Sequence, residues 1–521
     1  MRGVWWREGV FYQIYPRSFQ DSNGDGIGDL AGITARLDHL NDGSARSLGI
    51  DAIWLSPFYR SPMADFGYDV SDYCDVDPTF GNLADFDHLL SEAHRRGIRV
   101  IVDLVPGHTS DQHPWFTAAR RSRADPKRDF YVWADPRRGG EPPNNWRAVF
   151  RRVGSAWTFD QRSGQYYLHH FLPEQPDLNW WNKDVRAAID DAMRFWLDRG
   201  VDGFRVDVAS GLIRDERLRD NPRVRLRGWP RLRNWDLEEV HEIHRRWRKV
   251  LDSYDGDRMA VGEIGVRDLR RHVRYYGNDD ELQLSFNFHF LEQPWIAERF
   301  RKVVEEWERL LPKRSWPDYT LSNHDRSRAS TRYGLERAGV AAVMLLTLRG
   351  TPFIYYGEEI GMTDVPIPPE RVVDVDGRDP ERTPMQWDAS PNAGFTAGEP
   401  WLPLAADHVQ DNVAAQRDDP ASLFSLYRRL IRLRKSSPAL RGGSYRTVPA
   451  PRGVFAFARE ADGERVFVAL NFTKAAHRVS FGAGSGRVAL STDHARDTLE
   501  VSLEGIAISP EEGLVVAAGR R

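Results

Sequence analysis

The chain has 521 residues, 41% of them hydrophobic and 12% aromatic, enough for a large core and too many for one minimal domain. Its 73 basic and 76 acidic residues leave a net charge of −3, which argues against nucleic acid or an anionic membrane surface as a partner. A single cysteine, Cys74, excludes an internal disulfide framework and reads as a small core residue.

Residues 1–10 have no apolar core of a secretory signal. The longest apolar run, Val340 to Leu348, is less than half of the roughly 20 residues a bilayer span needs. A soluble, cytoplasmic chain is expected, acting as a monomer or weak homo-oligomer. Val10 to Pro16 then reads as a first strand and Leu30 to Leu40 as a helix. Ile50 to Leu55 is a second strand. Leu83 to Arg96 follows as a helix stopped by Gly97, with Phe86, Leu89, Leu90 and Ala93 at i, i+3, i+4, i+7 spacing. Ile98 to Val105 is a third strand. Val185, Ile189, Ala192, Phe195 and Trp196 mark a helix that ends at Gly200 and feeds the short β-branched run Val201 to Val208. Later strands are expected at Met259 to Ile264, Leu282 to Phe288, Tyr319 to Ser322 and Pro352 to Tyr356. Helical patterns lie between them at Leu237 to Tyr254, Pro294 to Leu311 and Leu335 to Leu348.

Eight strands, each followed by a helix, predict an α/β fold: a parallel (β/α)8 TIM barrel with its active site at the carboxyl ends of the strands. Residues 1–108 and 182–437 would form it. Thr109 to Trp181, polar, aromatic and Pro-rich, is far longer than an ordinary βα loop and predicts a small inserted domain after strand 3. Gly357 to Pro420 is a second long loop. After the helix Leu423 to Lys435 the pattern changes to short strands, at Val454 to Ala458, Arg465 to Phe472, Arg487 to Leu490, Leu499 to Leu503 and Leu514 to Val516. Residues 438–521 are therefore expected to form a C-terminal all-β sandwich domain.

The acids carry the chemistry. Arg205 and Asp207 lie two apart in one strand, so they share a face. A buried guanidinium and carboxylate are costly unless paired, and Arg205 would favour ionised Asp207. Taken alone the pair could equally be structural. Glu263 and Asp325 also end predicted strands, which brings three acids to one rim. Near neutral pH at least one of three such neighbours must be protonated. Glycosidic cleavage needs that combination, with one acid protonating the leaving oxygen and one carboxylate attacking the anomeric carbon, about 5–5.5 Å apart in a retaining enzyme. His108 and His324 could donate to sugar hydroxyls, and Asp69 lies just after the second strand.

Four motifs stand in order: Asp103-Leu104-Val105-Pro106-Gly107-His108, Gly203-Phe204-Arg205-Val206-Asp207, Gly262-Glu263-Ile264 and Ser322-Asn323-His324-Asp325. With Gln175-Pro176-Asp177-Leu178-Asn179 and the stretch Arg378-Asp379 with Arg382 to Trp387, the chain resembles the α-amylase family of retaining glycoside hydrolases, family thirteen. The likeness is to the oligo-1,6-glucosidase and α-glucosidase branch and runs from about Trp5 to the carboxyl terminus. It implies Asp207 as nucleophile, Glu263 as general acid/base and Asp325 as transition-state stabiliser, with apolar surroundings and nearby acids raising Glu263 so that it can donate. Asp69, Tyr68, His108, Arg205, His324 and Arg382 would hold the non-reducing glucose. Gly107 replaces the usual Asn, so the calcium site that this Asn serves in α-amylases is expected to be absent. The stretches Ala209-Ser210-Gly211 and Gly265-Val266-Arg267 match no single substrate.

The loop Asp21-Ser22-Asn23-Gly24-Asp25-Gly26-Ile27-Gly28-Asp29 has oxygen ligands at alternate positions, as calcium loops do, but Gly32 stands where an EF-hand closes with Glu. A plain Asx/Gly turn is the alternative. The resembled branch carries Ca²⁺ or Mg²⁺ here, so Asp21, Asn23, Asp25, Ile27 and Asp29 are expected to hold a structural ion with no part in the chemistry.

The expected activity is that of a retaining, exo-acting α-glucosidase on a small α-glucoside such as maltose, isomaltose or sucrose, through a covalent β-glucosyl-aspartate. A transglucosylase or sugar isomerase would use the same residues. A non-catalytic relative of the kind found in amino-acid transporter heavy chains would lack the three acids and carry a membrane segment. In the resembled branch Val after the nucleophile accompanies α-1,6 cleavage, which places Val208 at the substrate. Its alternative reading is an ordinary β-branched strand residue.

Overall fold

A computed structural model describes residues 4–222 and 232–518. Eight strands form one parallel sheet: β1 (Phe11–Ile14), β2 (Ala52–Leu55), β3 (Arg99–Leu104), β4 (Gly203–Val206), β5 (Met259–Gly262), β6 (Leu284–Ser285), β7 (Asp318–Thr320) and β8 (Thr351–Tyr355). Their order is β6-β5-β4-β3-β2-β1-β8-β7. Almost every residue in them is buried, which suits strands shielded on both faces and explains their unbroken apolar runs. This is the expected (β/α)8 barrel, nearly closed. β6 is only two residues long, where the sequence reads as Leu282 to Phe288. Asn287 ends it by capping a helical turn, Phe288–Leu291, accepting from the amide of Phe290. At the seam between β6 and β7 the Ser285 amide donates to Asp318 Oδ1 at 3.2 Å instead of to a neighbouring backbone.

Helices α1 (Leu30–Leu40), α2 (Leu83–Arg95), α3 (Lys183–Asp198), α4 (Val240–Asp252), α5 (Ala297–Leu310) and α6 (Ala338–Thr347) lie between the strands. Asp29 caps α1 by accepting from the amide of Gly32. A reciprocal Asn82/Asp85 capping box starts α2, which buries Phe86, Leu89, Leu90 and Ala93 as their spacing predicts. Within residues 109–181 stand a helix, Pro114–Arg121, and a three-stranded antiparallel sheet of Trp133–Ala134, Gln165–Leu168 and Trp157–Asp160.

α6 differs from the others in being apolar all round and buried along its whole length. It packs on α7 (Leu423–Ser436) and on two strands of the C-terminal domain, Glu464–Asn471 and Gly513–Ala518. Those strands belong to a six-stranded antiparallel sheet. Two buried arginines grip the carboxyl end of α6. Arg434 of α7 donates to Leu346 O at 3.1 Å, and Arg459 of the C-terminal sheet donates to Thr347 O at 2.7 Å. Both satisfy carbonyls that a helix end leaves open.

Candidate active site

Asp207 and Glu263 each stand one residue beyond their strands, β4 and β5, and Asp325 follows β7, so all three lie at the carboxyl rim. Arg205, inside β4, organises the rim. Its Nη1 donates to Asp207 Oδ1 at 2.7 Å and to Asp103 Oδ1 at 2.8 Å, and its Nη2 to Glu263 Oε2 at 2.7 Å. One buried guanidinium thus faces three carboxylates. Burial, added to by Glu263 and Asp103, pushes the Asp207 carboxyl well above its ordinary value despite Arg205. Burial likewise pushes Asp103 up to about 7. Arg205 favours ionised Asp207, as the sequence leads one to expect, but its cation is divided among three acids and burial outweighs it.

Asp325 has cations of its own. Its Oδ1 accepts from Arg378 at 3.0 Å and from Arg382 at 2.9 Å. Burial opposes ionisation, but His324 and these guanidiniums outweigh it and hold the carboxyl far below the usual range. His324 lies on the ring of Tyr68 at 5.4 Å, and its Nε2 is 2.7 Å from Tyr68 Oη. Gln13 of β1 contacts its other nitrogen at 2.8 Å. Tyr68 Oη in turn meets Asp103 Oδ2 at 3.1 Å and Arg205 at 3.3 Å, which links the two groups of acids.

Val208 has φ +46°, a conformation that a β-branched residue avoids. It aims the backbone amide at Glu263 Oε2, 3.2 Å away. Its side chain lines a cavity of about 530 Å³ together with Tyr68, His108, Asp207, Glu263 and Asp325. His108 keeps a buried Nδ1 that meets no protein partner, and its Nε2 lies near Tyr68 O and the Gln175 amide, at 3.0 and 3.1 Å.

The family profile "Alpha amylase, catalytic domain" matches residues 13–443. The chain belongs to the α-amylase family. A probable alpha-glucosidase from Rhizobium meliloti (strain 1021) is 44% identical over 501 residues, which is 90% of this chain and 89% of that protein. An oligo-1,6-glucosidase from Parageobacillus thermoglucosidasius is 40% identical over 523 residues, or 91% of each. Among solved structures, the alpha-glucosyl transfer enzyme XgtA matches with a TM-score of 0.92 and 41% identity, over the whole of both chains.

Four of the residues expected to hold glucose in this α-amylase-family site, Asp69, Arg205, His324 and Arg382, are not on the cavity wall. Asp69 is fully buried and does not reach the cavity. Its oxygens accept from Ser61 Oγ and from the amides of Ala64 and Asp65, each at 2.9 Å. The acid on the cavity wall is Asp65, which pairs with Arg378 at 2.6 Å and accepts from Gln175 at 3.0 Å. The left-handed turn at Phe66 and Gly67, φ +46° and +105°, swings the chain so that Asp65 and Tyr68 reach the cavity while Asp69 braces the turn behind them. Arg382 is also buried off the wall, donating to His324 O at 2.7 Å and to Asp325, and Arg378 takes the wall position. Asp65, Asp103, Arg378 and Gln13 were not singled out from the sequence. Asp103 and Arg378 stood inside quoted motifs, whereas nothing local marks Gln13.

In the loop of residues 21–29, Asp21 accepts from the amides of Asn23, Gly24 and Gly26 and from Thr396, and Asp29 accepts from Ser22 and caps α1. Asn23 and Asp25 make Asx turns to Asp25 and Ile27. Among the described residues no three His, Cys, Asp or Glu side chains converge as metal ligands. The loop's donor set is all oxygen, the chemistry of a hard cation, but its carboxylates already carry amide donors.

Proposed function

We propose that the chain is a retaining, exo-acting α-glucosidase, releasing α-glucose from the non-reducing end of short α-glucosides. The observation that carries the reading is that Arg205 binds Asp207 through Nη1 and Glu263 through Nη2, at 2.7 Å each. Carboxyl groups on neighbouring nitrogens of one guanidinium suit the spacing of a retaining enzyme, about 5–5.5 Å, rather than the roughly 6.5–9.5 Å across which an inverting enzyme activates water. In this reading Glu263, on the cavity side, gives its proton to the glycosidic oxygen while Asp207 attacks the anomeric carbon. Glu263, now a carboxylate, then takes a proton from water as the water oxygen displaces Asp207. Asp325, kept ionised by Arg378 and Arg382, faces the positive charge that develops on the sugar ring. Tyr68, His108 and the Asp65–Arg378 pair, all on the cavity wall, would meet the glucose hydroxyls. Val208 would border the bond that is cut.

Transfer to a sugar or alcohol in place of water is the second reading, supported by the 41% identity to an alpha-glucosyl transfer enzyme. For the Asp21 to Asp29 loop the proposal is a structural Ca²⁺ or Mg²⁺ ion, which would add stability and no chemistry. No helix among the described residues is long and apolar enough to cross a membrane. Maltose, isomaltose, sucrose and trehalose incubated with the protein, with proton NMR of the earliest product, test the assignment. Free α-glucose before mutarotation is expected. β-Glucose first, or no cleavage of any of them, would overturn it.

A further inference from the structure

Behind the cavity wall, the contacts of His324 fix where its ring proton sits. Its Nε2 faces Asp325 Oδ2 at 3.3 Å and Tyr68 Oη at 2.7 Å. Asp325 is held ionised by its cations, so a bare Nε2 would set lone pair against carboxylate. Tyr68 Oη also meets Asp103 Oδ2 at 3.1 Å and accepts from Arg205 at 3.3 Å. Asp103 Oδ2 already accepts from Trp54 Nε1 at 3.1 Å, which marks it as an acceptor for Tyr68 too. A hydroxyl has one proton to give. Only with the ring proton on Nε2 can the ring donate to Tyr68 while Tyr68 donates to Asp103.

The ring has a single proton to place. Burial holds His324 down to about 3, aided by Arg382, Arg205 and Arg378 and opposed by Asp325, so the ring is neutral near neutral pH. With that proton on Nε2, Nδ1 becomes a fully buried acceptor that needs a donor. Gln13 of β1 supplies it. Its amide nitrogen lies 2.8 Å from Nδ1 and 3.1 Å from Ser56 Oγ, so both amide protons have an acceptor. Gln13 itself is 1% exposed and stands off the cavity wall.

We propose that Gln13 is a positioning residue of this site: its amide donates to His324 Nδ1, locks the ring proton on Nε2 and so turns the Tyr68 hydroxyl toward Asp103. The inference rests on the α-glucosidase reading and adds a residue that acts on the acids without touching substrate. With the lock in place Nε2–H faces Asp325, and the Tyr68 proton meets part of the Asp103 charge that otherwise draws on Arg205. Without it the ring proton is free to move to Nδ1. Nε2 then turns a lone pair on Asp325, and Tyr68 swings its proton from Asp103 to the ring.

Long-range proton–nitrogen NMR of protein carrying isotope-labelled histidine reads the tautomer, with His324→Gln to identify the ring's signals. The wild-type protein should show Nε2 protonated and Nδ1 bare. Gln13→Leu keeps the bulk and removes the donor. It should draw the two nitrogen shifts together as the tautomers mix, and lower kcat on the α-glucoside that is cleaved by about tenfold or more, with KM changed by less. A proton on Nδ1 of the wild-type ring would overturn the lock, and so would a Gln13→Leu protein whose shifts or kcat stay where they were. If that variant does not fold, the wild-type spectrum still decides. Failure of the wild-type protein to cleave any α-glucoside would instead sink the parent reading and leave the tautomer standing.

Discussion

Asp103 reaches Arg205 at 2.8 Å on the same nitrogen that holds Asp207, so the cation of the rim is shared three ways instead of two. Burial pushes the Asp207 carboxyl up, and the negative charge of Asp103 adds to that push. In the free enzyme kcat/KM should fall on the alkaline side near pH 7, the value to which Asp103 itself is pushed. Asp103→Asn removes one negative neighbour, the remaining acids lose their proton more readily, and the alkaline limb should move to lower pH. A pH profile of both proteins checks this, and a limb that stays in place or moves upward contradicts it.

Asp207→Asn and Glu263→Gln should each lower hydrolysis at least ~10³-fold with the fold preserved, since both changes are nearly isosteric. The Glu263 variant should retain activity on glucosides whose leaving group needs no proton. Steady-state rates of the purified variants, with circular dichroism for folding, decide it.

The neighbours Asp65 and Asp69 should separate cleanly. Asp65→Asn, on the cavity wall, should lower kcat/KM by about tenfold or more while the melting temperature changes little. Asp69→Asn puts an amide against the backbone amides that Asp69 now receives, which costs about 1–3 kcal/mol. Its melting temperature should fall. The reverse pattern, with Asp69 governing KM alone, would restore Asp69 to the glucose site.

Chelation tests the loop of residues 21–29. An ion bound only by the folded state stabilises it by mass action, so a chelator should lower the melting temperature and leave the activity of still-folded protein little changed. An unmoved melting curve and no metal by elemental analysis would mean that the Asx turns alone hold the loop.

Val208→Ala should raise the maltose-to-isomaltose ratio of kcat/KM, because the branched side chain narrows the space beside Asp207 and the 6-linkage bends past it more easily. A change of one or two methyls is worth only about 1–3 kcal/mol, so the ratio should shift without becoming absolute. An unchanged ratio would place linkage choice in the inserted domain and the 357–420 loop.

The barrel was legible because buried parallel strands advertise themselves as apolar runs between amphipathic helices, and Leu30–Leu40 falls on its predicted residues. The same pattern put Asp207 and Glu263 at strand ends, where they stand. It misled at Asp69, where a left-handed turn, not distance from the strand, decides which acid reaches the cavity. Gln13 was illegible, since its role depends on a residue 311 positions away. The short β6 was overread because the apolar run continues through Phe286 and Phe288 into the helical turn that Asn287 caps.

α6 has no face of its own to show to water. One flank belongs to the barrel, the other is roofed by the C-terminal sheet, and Arg459 reaches across to finish the helix end. A shortened chain ending after α7 would therefore lay bare a greasy rod beside β8 and leave the Thr347 carbonyl without its charged donor. The β domain thus supplies the outer wall of the final strand–helix repeat.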